Sequence, residues 1–169
     1  MIFLKCLMFV LLFGASTFLG ITVSKKYVNR VDELRELKAF LNLLKTKIKF
    51  TYEPLGEIFY EISSSFSKNV SNLLLKASNN MKTNNAGKSW KLAVENTNMN
   101  LLKEDKEALI TLSKLLGKTN LEGQVSQIEQ TENLLDIQIE KAEIKRQKNE
   151  KMYKSMGMIV GAGLVIILI

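Results

Sequence analysis

Histidine is absent from this 169-residue chain. That removes imidazole metal ligands and every Ser-His or Cys-His nucleophile pair. The one cysteine, Cys6, lies in an apolar run, so there is no disulfide framework and no thiolate cluster. Proline occurs once, at Pro54, so little interrupts a helical backbone. Acidic side chains are outnumbered: 17 Asp and Glu stand against 24 Lys and Arg, leaving a net charge of +7. No catalytic constellation is present. Glu104, Asp105 and Glu107 read as favouring a helix N-terminus through its dipole. The expectation is a non-enzymatic protein without cofactor or metal.

Charge is also missing locally. None occurs from Cys6 to Val23 or from Ser155 to Ile169, whereas the stretch between is polar and lysine-rich. As a helix the first run extends roughly 27 Å, close to the thickness of a bilayer's hydrocarbon. A cleaved signal peptide fits less well, because the run continues through Phe18, Leu19, Ile21 and Val23 without an A-x-A site. Cys6 follows only a few residues, too few for a lipoprotein signal, and reads as a small apolar side chain. The second run is shorter and reaches a comparable span only with Met152 and Tyr153 included and Lys154 snorkelling. It shows no polar face, unlike a helix on the surface of a soluble domain. Two transmembrane helices are therefore expected, over 1–24 and 153–169, flanking a domain at 25–152. Basic residues crowd the domain side of both: Lys25, Lys26 and Arg30 after the first, and the stretch Lys141–Lys154 before the second. Lys and Arg favour the cytoplasmic face, so the domain is expected in the cytoplasm and both termini outside. The alternative use of this basicity is a membrane-anchored module binding anionic lipid or nucleic acid. No aromatic platform accompanies the lysines, so no nucleic-acid partner is expected.

The middle reads as all helical. Val31, Leu34, Leu37, Leu41, Leu44 and Ile48 step by threes and fours along one helix face, from about residue 24 to about 51. Pro54 suits the first turn of a second helix carrying Leu55, Ile58, Phe59, Ile62 and Phe66. Val70, Leu73, Leu74, Ala77 and Met81 mark a third, closed by a loop over "NNMKTNNAGKS". Trp90, Ala93, Val94 and Thr97 mark a fourth, with Ser89 a candidate cap. A fifth, from about Leu102 to Leu116, turns Leu109, Leu112, Leu115 and Leu116 inward and stops at Gly117. The last begins near Leu121 and continues through Val125, Ile128, Leu135, Ile139 and Ala142 toward the second apolar run, with Glu132 interrupting its face. The expected architecture is an antiparallel bundle of about six helices between the two spans.

Two short patterns invite a functional reading. "AGKS", Ala86–Ser89, imitates the end of a phosphate-binding loop, but Lys82 stands where the first glycine belongs and no strand precedes it. Small residues at Ser16 and Gly20, and at Gly157 and Gly161, would let helices approach closely in lipid, either packing the two spans together or binding partner membrane proteins.

Three stretches carry a family resemblance: "KIKFTYEPLGEIF" (47–59), "LGKTNLEGQ" (116–124) and "KNEKMYKSMG" (148–157). With them the whole chain resembles the stage III sporulation protein AB family. That family is in turn similar to the cytoplasmic six-helix domain of the type II secretion F protein, a membrane platform component. The F protein has two such domains and more spans, so a full platform would need oligomers or other membrane subunits. The resemblance implies a subunit of the channel complex between mother cell and forespore, acting during engulfment from the mother-cell membrane. Implied partners are the complex's cytoplasmic ATPase and membrane subunits, membrane lipid, and further copies of the chain. Exposed loops around Pro54–Glu57 and Lys118–Gly123 are the first candidates for docking.

Overall fold

Long unbroken helices follow from a chain nearly free of proline. A computed structural model describes the backbone of residues 2–51 and 53–168; the side chains of 2–7, 9, 12, 164, 167 and 168 lie outside the description, and with them the reading of Cys6. Among the described residues there are six α-helices, one 3-10 turn and no strand: α1 (Ile2–Phe50), α2 (Leu55–Ser63), α3 (Lys68–Met81), α4 (Ala86–Asn96), α5 (Lys103–Thr111), the turn Leu112–Lys114, and α6 (Leu121–Leu168). The apolar ends continue into the helices beside them, so α1 and α6 are each single helices. The chain divides into two compact units, one of residues 1–31 with 142–169 and the other of Asp32–Lys141.

Unit Asp32–Lys141 is a helical bundle. The α1 register from Leu34 to Ile48 is buried throughout, as are Ile58, Phe59 and Ile62 of α2, Leu73 and Leu74 of α3, and Trp90 of α4. Phe40, which widens the α1 stripe beside Leu41, stacks on Trp90 at 5.6 Å and meets Phe59 edge-on at 5.1 Å. Phe59 meets Trp90 edge-on at 5.8 Å, which closes a three-ring cluster. The Trp90 indole donates to the Leu109 carbonyl over 2.7 Å, tying α4 to α5. Such a buried donor needs a partner, because burial without one costs about 1–3 kcal/mol.

Polar side chains on α1 fasten the loops. Glu33, 4 % exposed, accepts from the Asn69 amide group at 2.7 Å and from the Asn100 backbone and side chain at 2.7 and 2.8 Å. Glu36 accepts from the Ser67 backbone at the start of α3. Between α1 and α6, which run antiparallel here, Lys38 pairs with Asp136 and Lys45 with Glu132 at 2.9 Å. Glu132, the acid interrupting the apolar face, thus stays inside because Lys45 meets it there.

Several expected boundaries shift. Pro54 is the N-cap of α2, its carbonyl accepting from Glu57 and Ile58, rather than a first-turn residue. The loop expected over "NNMKTNNAGKS" shrinks to residues 82–85, with Asn79–Met81 in α3 and Ala86–Ser89 in α4. Asn85 caps α4 by accepting from the Lys88 backbone at 2.9 Å, so Ser89 is not the cap but a buried helical residue. Asparagine is among the strongest N-caps, which explains the earlier start. The fifth helix gives way to a 3-10 turn after Thr111, and that change of twist leaves Leu115 exposed while Leu112 and Leu116 stay buried. Gly117 ends the segment at φ +69°, where other residues are strained.

Two outcomes test this account by thermal unfolding of the full chain in detergent. A Cβ at Gly87 would run into the Ser113 carbonyl, so Gly87→Ala should cost on the order of 2 kcal/mol while the exposed neighbour change Lys88→Ala leaves the midpoint alone. Lys45→Met strands the Glu132 carboxylate and should cost on the order of 3 kcal/mol; Lys45→Met with Glu132→Leu should recover most of that.

Candidate functional site

The two stretches singled out for docking lie at one end of the bundle, although residues 55–57 belong to α2 and 121–123 to α6 rather than to loops. The α1–α2 turn covers 51–54, and the α5–α6 connection folds back beside it: a Cβ on Gly117 would stand 3.3 Å from Leu55 Cδ1. Gln124 clamps that connection, accepting from the Gly117 backbone at 3.1 Å and donating to the Thr119 carbonyl at 3.2 Å. Asn120 caps α6 by accepting from the Gly123 backbone at 3.0 Å. "LGKTNLEGQ" is thereby a self-bonded turn of fixed shape.

Beside the α1–α2 turn opens a groove of about 840 Å³ between α2 and the end of α3, lined by Glu53, Pro54, Glu57, Tyr60, Glu61, Met81 and Lys82 among others. The Ser78 hydroxyl donates to the Gly56 carbonyl at 2.8 Å and holds its floor together. A smaller hollow of about 220 Å³ lies between the same turn and the start of α6, with Glu53, Leu55, Leu121 and Gln124 on its walls. The charged residues of the groove are Glu53, Glu57, Glu61 and Lys82. Lys47 answers one edge, bonding Glu61 at 2.7 Å with Glu53 at 3.9 Å. The bond to Glu61, helped by the charge of Glu53, holds the Lys47 ammonium above its ordinary pKa. Phe50 and Tyr60 stand 79 % and 68 % exposed, and Leu115 and Leu121 are exposed as well. Apolar side chains displayed around a structured hollow suit a protein partner better than a reaction. The sequence pointed to this end through its loops but missed Phe50 and Tyr60; their off-register positions on the helix faces were the available signal.

The unit of residues 1–31 and 142–169 is an antiparallel helix pair. Ser16, Gly20, Gly157 and Gly161 all fall on its seam. The Ser16 hydroxyl donates to the Gly157 carbonyl at 2.8 Å. A Cβ on Gly20 would come within 2.6 Å of the Tyr153 carbonyl, one on Gly157 within 3.0 Å of the Ser16 carbonyl, and one on Gly161 within 3.0 Å of the Phe13 ring. Gly163, by contrast, has open space around it. Tyr27 stacks on Tyr153 at 5.8 Å, a contact with no sequence signal. Around the seam Val10, Leu11, Phe18, Leu19, Ile159 and Ile166 are exposed. Among the described residues no helix is long and apolar enough to cross a membrane, so the transmembrane helices expected over 1–24 and 153–169 are not found there.

"AGKS" offers no phosphate cradle. Its backbone is the first turn of α4, and Gly87 serves close packing against Ser113. Among the described residues no group of three or more potential ligands could hold a metal.

The seam makes its own prediction. Gly157→Ile should lower the unfolding midpoint in detergent by the equivalent of about 2 kcal/mol, and Gly163→Ile should leave it unchanged.

Comparison with known proteins gives one consistent result. The family model for stage III sporulation protein AB matches residues 5–169. A curated relative, stage III sporulation protein AB of Bacillus subtilis (strain 168), is 28 % identical over 169 residues, covering 98 % of this chain and 99 % of that protein. A solved structure of stage III sporulation protein AB (SpoIIIAB) aligns with a TM-score of 0.65 at 22 % identity, over 71 % of this chain and 98 % of that one, and shows the same fold. The chain, matched along almost its whole length, belongs to the stage III sporulation protein AB family.

Proposed function

We propose that this sporulation protein is a non-enzymatic integral membrane subunit of the channel complex between mother cell and forespore, a secretion-platform-like assembly component. The observation that carries the reading is the distribution of exposed apolar side chains. In the helix pair they surround a seam of small residues whose backbones touch, the arrangement that lets helices associate in lipid. In water the same surface would be an aggregation liability. Lipid covers it if the pair inserts as a hairpin from the cytoplasmic side of the mother-cell membrane, with the apolar ends within the bilayer and both termini outside.

The bundle then acts by docking. Its groove and the clamped turn beside it face a protein surface of the complex, either the cytoplasmic ATPase or a membrane subunit; self-association would build the platform to full size. Docking needs a fixed shape and displayed anchors, and both are present at this end.

Photo-cross-linking in sporulating cells tests the role. Probes at Phe50, Glu57, Tyr60 and Thr119 should each capture a channel subunit, and probes at Lys103 or Lys91 should capture far less. Capture of no channel component from any of these positions overturns the reading. For the layout, a reporter fused after Ile169 should be protected from cytoplasmic labelling; labelling of it there would refute the hairpin.

A further inference from the structure

Cations accumulate at one level of the helix pair and most of them lack an acidic neighbour. Lys25, Lys26 and Arg30 lie on α1, and Lys145, Arg146, Lys148, Lys151 and Lys154 on α6; the acids within this unit are Glu143 and Glu150. Glu150 is occupied from both sides, by Lys154 at 2.8 Å and Arg146 at 3.3 Å. Its hydrogen bond to Lys154, with Arg146 adding to it, holds the carboxyl below its ordinary pKa, so it stays ionised, and its single charge is shared between those two cations. Lys25, Lys26, Lys145, Lys148 and Lys151 are exposed, and among the described residues none has a carboxylate at ion-pair distance.

These five lysines form a band. Ser16 opposite Gly157 and Gly20 opposite Tyr153 set the antiparallel alignment. Equal rise along both helices then brings Lys25 and Lys26 level with Lys148 and Lys151. Lys145, Lys148 and Lys151, spaced by three, share one side of α6. The Tyr27–Tyr153 stack lies at the edge of the band, and the exposed apolar surface begins directly beyond it. Positive charge, then tyrosine, then aliphatic side chains is the order of phosphate, glycerol and acyl chain in a phospholipid.

We propose that this band is a binding site for the headgroups of anionic phospholipid, with the phosphates on the five lysines and the acyl chains along the apolar surface below. It rests on the membrane reading above and adds to it a preference among lipids. Lysines near an anionic surface each contribute severalfold to the association, and the attraction weakens with salt. A polyanion such as nucleic acid would match the charge alone; the adjoining apolar surface gives it nothing.

The test uses the full chain reconstituted in vesicles of mixed phosphatidylglycerol and phosphatidylcholine, washed with alkaline carbonate, extracted in mild detergent, and assayed for co-purifying phospholipid by mass spectrometry. The wild-type chain should carry severalfold more phosphatidylglycerol than the vesicle composition. Replacing Lys25, Lys26, Lys145, Lys148 and Lys151 by Gln should return the ratio to that of the vesicle. Replacing five bundle lysines by Gln (Lys68, Lys88, Lys91, Lys103 and Lys114) should leave the enrichment intact. A retained protein without enrichment, or enrichment unaltered in the band variant, overturns the lipid site and leaves the membrane reading standing. Release of the wild-type protein by carbonate from every vesicle removes both. Binding of a short oligonucleotide without any preference for phosphatidylglycerol would assign the band to nucleic acid and refute the proposal.

Discussion

Phe40 against Trp90 is the contact on which the bundle turns. A ring from α1 stacks on the indole of α4 and meets α2 through Phe59, and the indole nitrogen continues the link to α5 through the Leu109 carbonyl. Aromatic side chains bury large areas and prefer offset or edge-on geometry, so the cluster sets angles as well as distances. With these helices fixed, Glu33 can gather Asn69 and Asn100, and the short loops are drawn over the core rather than left free. The fixed shape of the end that carries Pro54 and Lys118 follows from this scaffold and from the Gln124 clamp.

The three stretches that carry the family resemblance turn out to be local structural devices. "KIKFTYEPLGEIF" ends α1, turns at Pro54 and starts the helix that walls the groove. "LGKTNLEGQ" holds the left-handed Gly117 and the residues that close on it. "KNEKMYKSMG" supplies Glu150, Tyr153 and Gly157 to the helix pair. None of the three is a reactive constellation.

Close approach in the helix pair depends on side chains that are nearly absent. At Gly20, Gly157 and Gly161 a single added carbon would meet a carbonyl oxygen, a backbone carbon or an aromatic ring on the opposite helix. Such packing gains dispersion and weak polar contacts that any added side chain would forfeit. The part-buried Lys45–Glu132 pair in the bundle works by a different logic: desolvation offsets much of its attraction, and its value lies in penalising any arrangement that separates the two groups.

The sequence by itself determined the all-helical class and the inward face of α1, because both rest on local periodicity. Its boundary readings failed where local signals competed: Asn85 outranked Ser89 as a cap, and the 3-10 turn rotated Leu115 outward. Only the tertiary structure decided that the loops at Pro54 and Lys118 share one end, that Glu132 finds Lys45, and that Tyr27 finds Tyr153. These pairings join residues far apart along the chain. Which of them form depends on how helix faces rotate and pack, and no single helix's pattern contains that information.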